Sequence, residues 1–144
     1  MHVQRNGFTG TLPEAGIRGK AAMHSIVLAR NAFTGILPGS GLAEMSAVSI
    51  LYVTSNRFAG ALPDDGFREL TGLEVVCFDN NYFQGAIPSS LHAHAVVFDH
   101  TLLAGSIPQQ LLEDKEGIYK IVKAAAMLHK GTIPESASRM TMAE

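Results

Sequence analysis

Apolar and polar positions along the chain repeat in one frame, apolar-x-x-apolar-x-apolar-x-x-Asn. It reads Met23, Ile26, Leu28, Asn31, then Val48, Leu51, Val53, Asn56, then Leu73, Val76, Phe78, Asn81, and more loosely Ala93, Val96, Phe98, Thr101. The alternation ahead of each Asn predicts a short strand with one buried face. A second phrase follows, Asn-x-Phe-x-Gly-x-(Leu/Ile)-Pro. It reads NGFTGTLP from Asn6, NAFTGILP from Asn31, NRFAGALP from Asn56 and NYFQGAIP from Asn81, with looser copies TLLAGSIP from Thr101 and MLHKGTIP from Met127. The first four copies begin 25 residues apart, and all six prolines of the chain close one copy each. A period of about 20–29 residues predicts a solenoid, in which each coil buries its apolar face only against its neighbours.

Each residue of the phrase has a physical role. The Asn amide carries both donor and acceptor, so it can satisfy backbone groups where a strand turns and bridge one coil to the next. Thr101 can do part of this and Met127 cannot. Phe8, Phe33, Phe58 and Phe83 are expected to point inward as an aromatic column. Gly10, Gly35, Gly60, Gly85, Gly105 and Gly131 suit a bend with positive φ. Leu12, Leu37, Leu62, Ile87, Ile107 and Ile133 turn in again, and each proline ends the pairing. Pairs such as Leu42 with Met45 and Phe67 with Leu70 close the coil on its far side.

The frame and the phrase together resemble the plant-type leucine-rich repeat, L-x-x-L-x-L-x-x-N-x-L/F-x-G-x-I-P. The match spans essentially the whole chain and is most specific over residues 23–88. The resemblance implies an α/β solenoid. It would be a right-handed superhelix with a short-stranded parallel concave sheet and a convex side mostly of loop and 3-10 turns. Residues 1–144 are then one array of about six repeats, the last degenerate. That family includes receptor-kinase ectodomains, polygalacturonase-inhibiting proteins and protist surface proteins. The expected role is non-catalytic recognition of a protein or peptide in a surface or receptor-like protein, with no cofactor. An extracellular or cell-surface location follows from the resemblance alone. Two other roles fit the same pattern: a regulatory or inhibitory module of an enzyme such as a receptor-like kinase, and a glycan-binding surface built on Tyr52, Tyr82, Asp79 and Asp99.

Three departures from the pattern stand out. The step from Asn81 to Thr101 is 20 residues, which shortens one convex loop; the last copy has His129 in place of Phe; and flanking cysteine pairs are absent. Residues 110–129 read either as a degenerate repeat, with Tyr119, Val122 and Ala124 inward, or as an amphipathic helix; GTIP at 131–134 favours the repeat. Met1 and Val3 already belong to a first strand with no amphipathic segment before it. The expectation is an exposed apolar end and neighbouring repeats of a longer parent chain.

Composition changes this picture little. The 144 residues are 47% hydrophobic with a formal charge of −2, so nothing draws the chain to nucleic acid or acidic membrane. Cys77 is the single cysteine, which rules out an internal disulfide, and no run of 18 apolar residues occurs.

The candidate binding surface consists of outward residues in three rows across the strands. One row is His2, Val27, Tyr52, Cys77, Val97, Lys123. The next is Gln4, Ala29, Thr54, Asp79, Asp99, Ala125. The third is Arg5, Arg30, Ser55, Asn80, His100, Ala126, with Arg57 and Tyr82 just past the Asn near the same edge. Arg5, Arg30, Tyr52, Thr54, Arg57, Asp79, Tyr82, Asp99 and His100 are the expected contacts, since Tyr and Arg anchor interfaces most often. Asp79 and Asp99, on adjacent strands about 5 Å apart, have the spacing of a retaining glycosidase pair, but an open sheet excludes no water. They suit a basic partner or a cation better. His92-Ala-His94 has chelating spacing yet supplies only two ligands. Cys77 and His100 lie too far apart for a thiol dyad.

Overall fold

The computed structural model describes residues 1–111 and 121–123. In chain order the elements are β1 (Thr9–Thr11), α1 (Glu14–Ile17), β2 (Ser25–Val27), β3 (Ala32–Gly35), α2 (Gly39–Ala43), β4 (Ile50–Tyr52), β5 (Arg57–Gly60), α3 (Asp64–Arg68), β6 (Val75–Cys77), β7 (Tyr82–Gly85), β8 (Ala95–Val97), β9 (Leu102–Leu103), a 3-10 turn (Gln109–Leu111) and β10 (Ile121–Lys123). The second and third coils each contribute one strand from the apolar frame, one from the Phe-x-Gly phrase and one helical turn.

The frame strands form a parallel sheet in the order β10-β8-β6-β4-β2. Register follows the repeat, with Val27 opposite Tyr52, Tyr52 opposite Cys77, and Cys77 opposite Val97. A bridge between His2 and Val27 extends the sheet to the first coil. Lys123 pairs with Val97, so the sixth coil keeps the frame, and a strand stands where the helical alternative would have run. The expectations for Tyr119, Ala124, Met127, His129 and Gly131 lie outside the described residues.

A second parallel sheet, β1-β3-β5-β7-β9, is built from the Phe-x-Gly phrase. The glycine of that phrase predicts a bend, and the structure sets the bend at the end of a short strand in β3, β5 and β7. The glycine does its expected work. Gly60 has φ +76°, and a Cβ on it would stand 2.8 Å from Ile36 Cγ2 of the preceding coil. The convex side, expected to be mostly loop and 3-10 turns, also carries short α-helical turns. Pro13, Pro38 and Pro63, with φ between −73° and −77°, each start a single α-helical turn. Turns this short leave no helical period to read. The 20-residue step omits the helix: Leu91 N–H bonds Pro88 O (3.2 Å), and Leu91 and Ala93 are buried there.

The core is a continuous column between the two sheets and the helical turns. Ile26, Leu51, Val76 and Val96 fill it from the first sheet, Phe58, Phe83 and Leu103 from the second, and Leu42, Met45, Phe67 and Leu70 from the convex side. The aromatic file is present, with ring centroids of successive Phe8, Phe33, Phe58 and Phe83 at 6.1, 6.0 and 6.0 Å. Phe78 and Phe98 stack as a second pair at 5.7 Å.

The asparagines bridge coils. Asn56 Nδ2 donates to Val53 O of its own coil (3.1 Å) and Leu28 O of the preceding one (3.0 Å), while its Oδ1 accepts from Phe33 N–H (3.1 Å). Asn81 repeats the pattern on Phe78 O, Val53 O and Phe58 N–H. Thr101 keeps the bond within its own coil, its hydroxyl donating to Phe98 O (2.8 Å). Among the described residues that hydroxyl makes no bond back to the preceding coil.

Candidate ligand-binding face

The outward positions of the first sheet make an open face. Tyr52 is half-buried between Val27 and Cys77 on the neighbouring strands. Thr54, Asp79 and Asp99 share the next row, all half-buried. Asp79 is held from two sides: Thr54 Oγ1 donates to its Oδ1 (2.8 Å) and Asn80 Nδ2 to its Oδ2 (3.0 Å). Burial, and then the nearby Asp79 charge, push the Cys77 thiol up to about 11, so Cys77 is a neutral thiol on this face.

The third row is not a continuation of the strand. Arg5, Arg30, Ser55, Asn80 and His100 all have φ between 54° and 59°, a left-handed turn just past the strand end. The backbone N–H groups of Arg5, Arg30, Ser55 and Asn80 pair onward, Arg30 to Thr54 O (2.9 Å) and Asn80 to Asp99 O (2.9 Å), which keeps the turn satisfied despite its strain. Arg5, Arg30 and His100 are exposed. Arg57 and Tyr82 are also exposed, but each opens a strand of the second sheet, β5 and β7, beyond the buried Asn. The expectation that all nine residues share the concave face is therefore corrected for these two. The buried Asn turns the chain between the sheets and carries them round the edge.

One row was missed by sequence reasoning. Ser25, Ile50, Val75 and Ala95 are outward and half-buried at the near end of the strands. They occupy the x position just before the second apolar residue of the frame, where β-branched residues at 50 and 75 were the available signal. With Val27, Tyr52, Cys77 and Val97 they make the centre of the face apolar. The exposed Glu74 borders this centre on the side away from Asp79.

Two hollows lie elsewhere. One of about 300 Å³ sits beside α3, where the short coil lacks a helix, lined by Phe67, Arg68, Thr71, Ser90, His92 and His94 among others. Ala93 takes the inward slot there, and His92 Nδ1 lies 2.8 Å from Ser90 O. Asp64 is held below the usual carboxylate range first by Ser90, whose backbone N–H donates to its Oδ1 (3.2 Å) and whose hydroxyl donates to the Asp64 backbone O (2.7 Å), and then by Arg68. Among the described residues no three His, Cys, Asp or Glu side chains are placed to hold a metal ion. The other hollow, about 230 Å³, opens at the first coil between Met1, Val3, Phe8, Leu12, Ile17 and Phe33. Among the described residues no helix is long and apolar enough to cross a membrane.

No protein-family model and no curated protein sequence matches the chain. Solved structures do. A TDR receptor is 25% identical with a TM-score of 0.76, over 94% of this chain and 23% of that one. The ectodomain of the Arabidopsis thaliana receptor kinase SOBIR1 is 18% identical with a TM-score of 0.73, over 93% of this chain and 72% of that one. The Arabidopsis HAESA ectodomain, solved with an extended IDA peptide hormone ligand, is 22% identical with a TM-score of 0.71, over 78% of this chain and 19% of that one. The chain thus spans about a quarter of the length of the TDR receptor. With the repeat phrase in its sequence and the paired sheets in its fold, the chain has a leucine-rich-repeat solenoid fold similar to that of plant receptor ectodomains.

Proposed function

We propose that this chain is a recognition module with no catalysis of its own, which binds a protein or peptide segment across its first sheet as part of a surface or receptor-like protein. The observation that carries the reading is the face itself. It is open, apolar at its centre, and bordered by charged and hydrogen-bonding residues of both signs. Tyr52, Thr54, Asp79 and Asp99 would contact the ligand directly. Arg5, Arg30 and His100 would line the edge, with Arg57 and Tyr82 as a rim. The peptide complex of HAESA supports the ligand class. Strands spaced about 4.8 Å give the face a span suited to a peptide or a loop rather than a whole domain.

The test is hydrogen exchange on the chain with a peptide selected against it. Backbone amides of β2, β4, β6 and β8 should gain protection, and Tyr52→Lys should weaken binding about tenfold or more. Gln84→Lys, on the second sheet, should leave binding unchanged. Protection confined to the second sheet, or indifference to Tyr52→Lys, would refute the reading.

A further inference from the structure

The described arginines divide into two kinds. Arg18 and Arg68, on the convex side, are each paired with two carboxylates, Arg18 with Glu14 (3.8 Å) and Glu44 (3.2 Å), Arg68 with Asp64 (2.9 Å) and Asp65 (3.3 Å). Arg5, Arg30 and Arg57 are exposed, and among the described residues no carboxylate pairs with them. These three share the edge where the chain passes from the first sheet to the second in the first three coils. Arg5 N–H bonds Ala29 O (3.0 Å) and Arg30 N–H bonds Thr54 O (2.9 Å), so the two occupy the same left-handed turn one coil apart, about 4.8 Å along the solenoid. Arg57 lies two residues past Ser55, the occupant of that turn in the third coil, and opens β5 opposite Thr34. Residues 1–12, 21–37 and 46–62, which run through both sheets in these coils, contain no Asp or Glu. The first acid of the edge is Asp79 in the fourth coil, already bonded by Thr54 and Asn80. The turn itself does not call for arginine. A left-handed φ suits Gly, Asn or Asp, as Asn80 at the equivalent position shows.

We infer that this edge takes an acidic segment of a partner protein, with two or more Asp or Glu side chains bonded to Arg5, Arg30 and Arg57. A guanidinium binds a carboxylate by two parallel N–H···O bonds. Like charges one coil apart repel, and a carboxylate between neighbouring arginines relieves that repulsion. From the first coil to the third the arginines span about 10 Å, and two acids on one face of an extended peptide lie about 7 Å apart. One small anion would leave part of that span uncovered. A nucleic acid needs a broader basic field than three arginines on a chain of formal charge −2. This rests on the recognition reading above and adds to it the charge of the segment that crosses the edge.

Panning random displayed peptides against the full chain tests the assignment. Retained sequences should carry two acidic residues within four positions. Replacing those Asp and Glu by Asn and Gln, which keeps the shape and removes the charge, should weaken binding about tenfold or more, as should Arg30→Gln with Arg57→Gln. Arg18→Gln, at an arginine already paired on the convex side, should leave binding unchanged. Added salt should weaken the acidic peptide and spare its amide form. The amide arm needs no change to the protein, so it decides even if the double variant folds poorly. Peptides retained without an acidic bias, amide forms that bind equally well, or an equal loss with Arg18→Gln would overturn the inference and leave the recognition reading standing. If no peptide is retained, both fall.

Discussion

The residue most strongly determined by the fold is the asparagine at each strand end. Asn56 is buried and satisfies Leu28 O, Val53 O and Phe33 N–H at once. Asn56→Ala leaves all three without that partner and is expected to destabilise by about 3 kcal/mol in urea unfolding. Asn6→Ala, at the exposed first coil where the amide donates only to Val3 O and Gln4 O, should cost under about 1 kcal/mol. Cys77 gives a second prediction. Its thiol, held up near 11 against an ordinary 9.0, should react slowly with a disulfide reagent at pH 8 and quickly once the chain is unfolded. The folded state holds that proton more tightly than the unfolded one. Its contribution to stability is therefore complete below pH 9 and falls as pH rises toward 11. Unfolding midpoints across that window, against Cys77→Ser, would show it. The asparagine and phenylalanine roles were legible in sequence because they repeat unchanged through four successive copies. The left-handed turn at Arg5, Arg30 and His100 was not, since alternation of side chains says nothing about φ and none of the five residues there is glycine.

At the scale of elements, the frame strands were readable from alternation, and their register from the constant period. The second sheet was hidden by its glycines, and the helical turns by their length of four or five residues. Ile50 and Val75 were overlooked because the frame marks them as variable, although the sheet sets both on the open face. The aromatic file gives these elements a measurable depth. Phe58 is fully buried between two stacked neighbours, so Phe58→Ala should cost roughly 3–5 kcal/mol. Phe8 has one neighbour in the file and is 47% exposed, so Phe8→Ala should cost less than half as much. Denaturant titrations of both variants would rank them. Equal losses would mean the file does not act as one column.

For the whole molecule, the open first coil matters most. Phe8 and its neighbours line an apolar hollow of about 230 Å³ in the first coil, where among the described residues β1 pairs only with β3. Surfaces of this kind associate. Residues 1–144 are expected to scatter light as oligomers, and Val3→Lys with Phe8→Glu should shift them toward monomer with an unchanged circular dichroism spectrum. A monodisperse wild-type monomer would contradict this.

The asparagine bonds also have a direction. Asn31, Asn56 and Asn81 each reach back to the coil before, so each of the first three coils is completed by the one that follows it. Peeling the array from its early end strips an amide of one distant acceptor. Peeling it from its late end leaves the retreating edge with bare carbonyls and amides. Among the described coils, Thr101, whose hydroxyl makes no bond back, is where that second kind of opening meets least resistance. Under tension the solenoid should behave as a ratchet, yielding at different forces when pulled from its two ends.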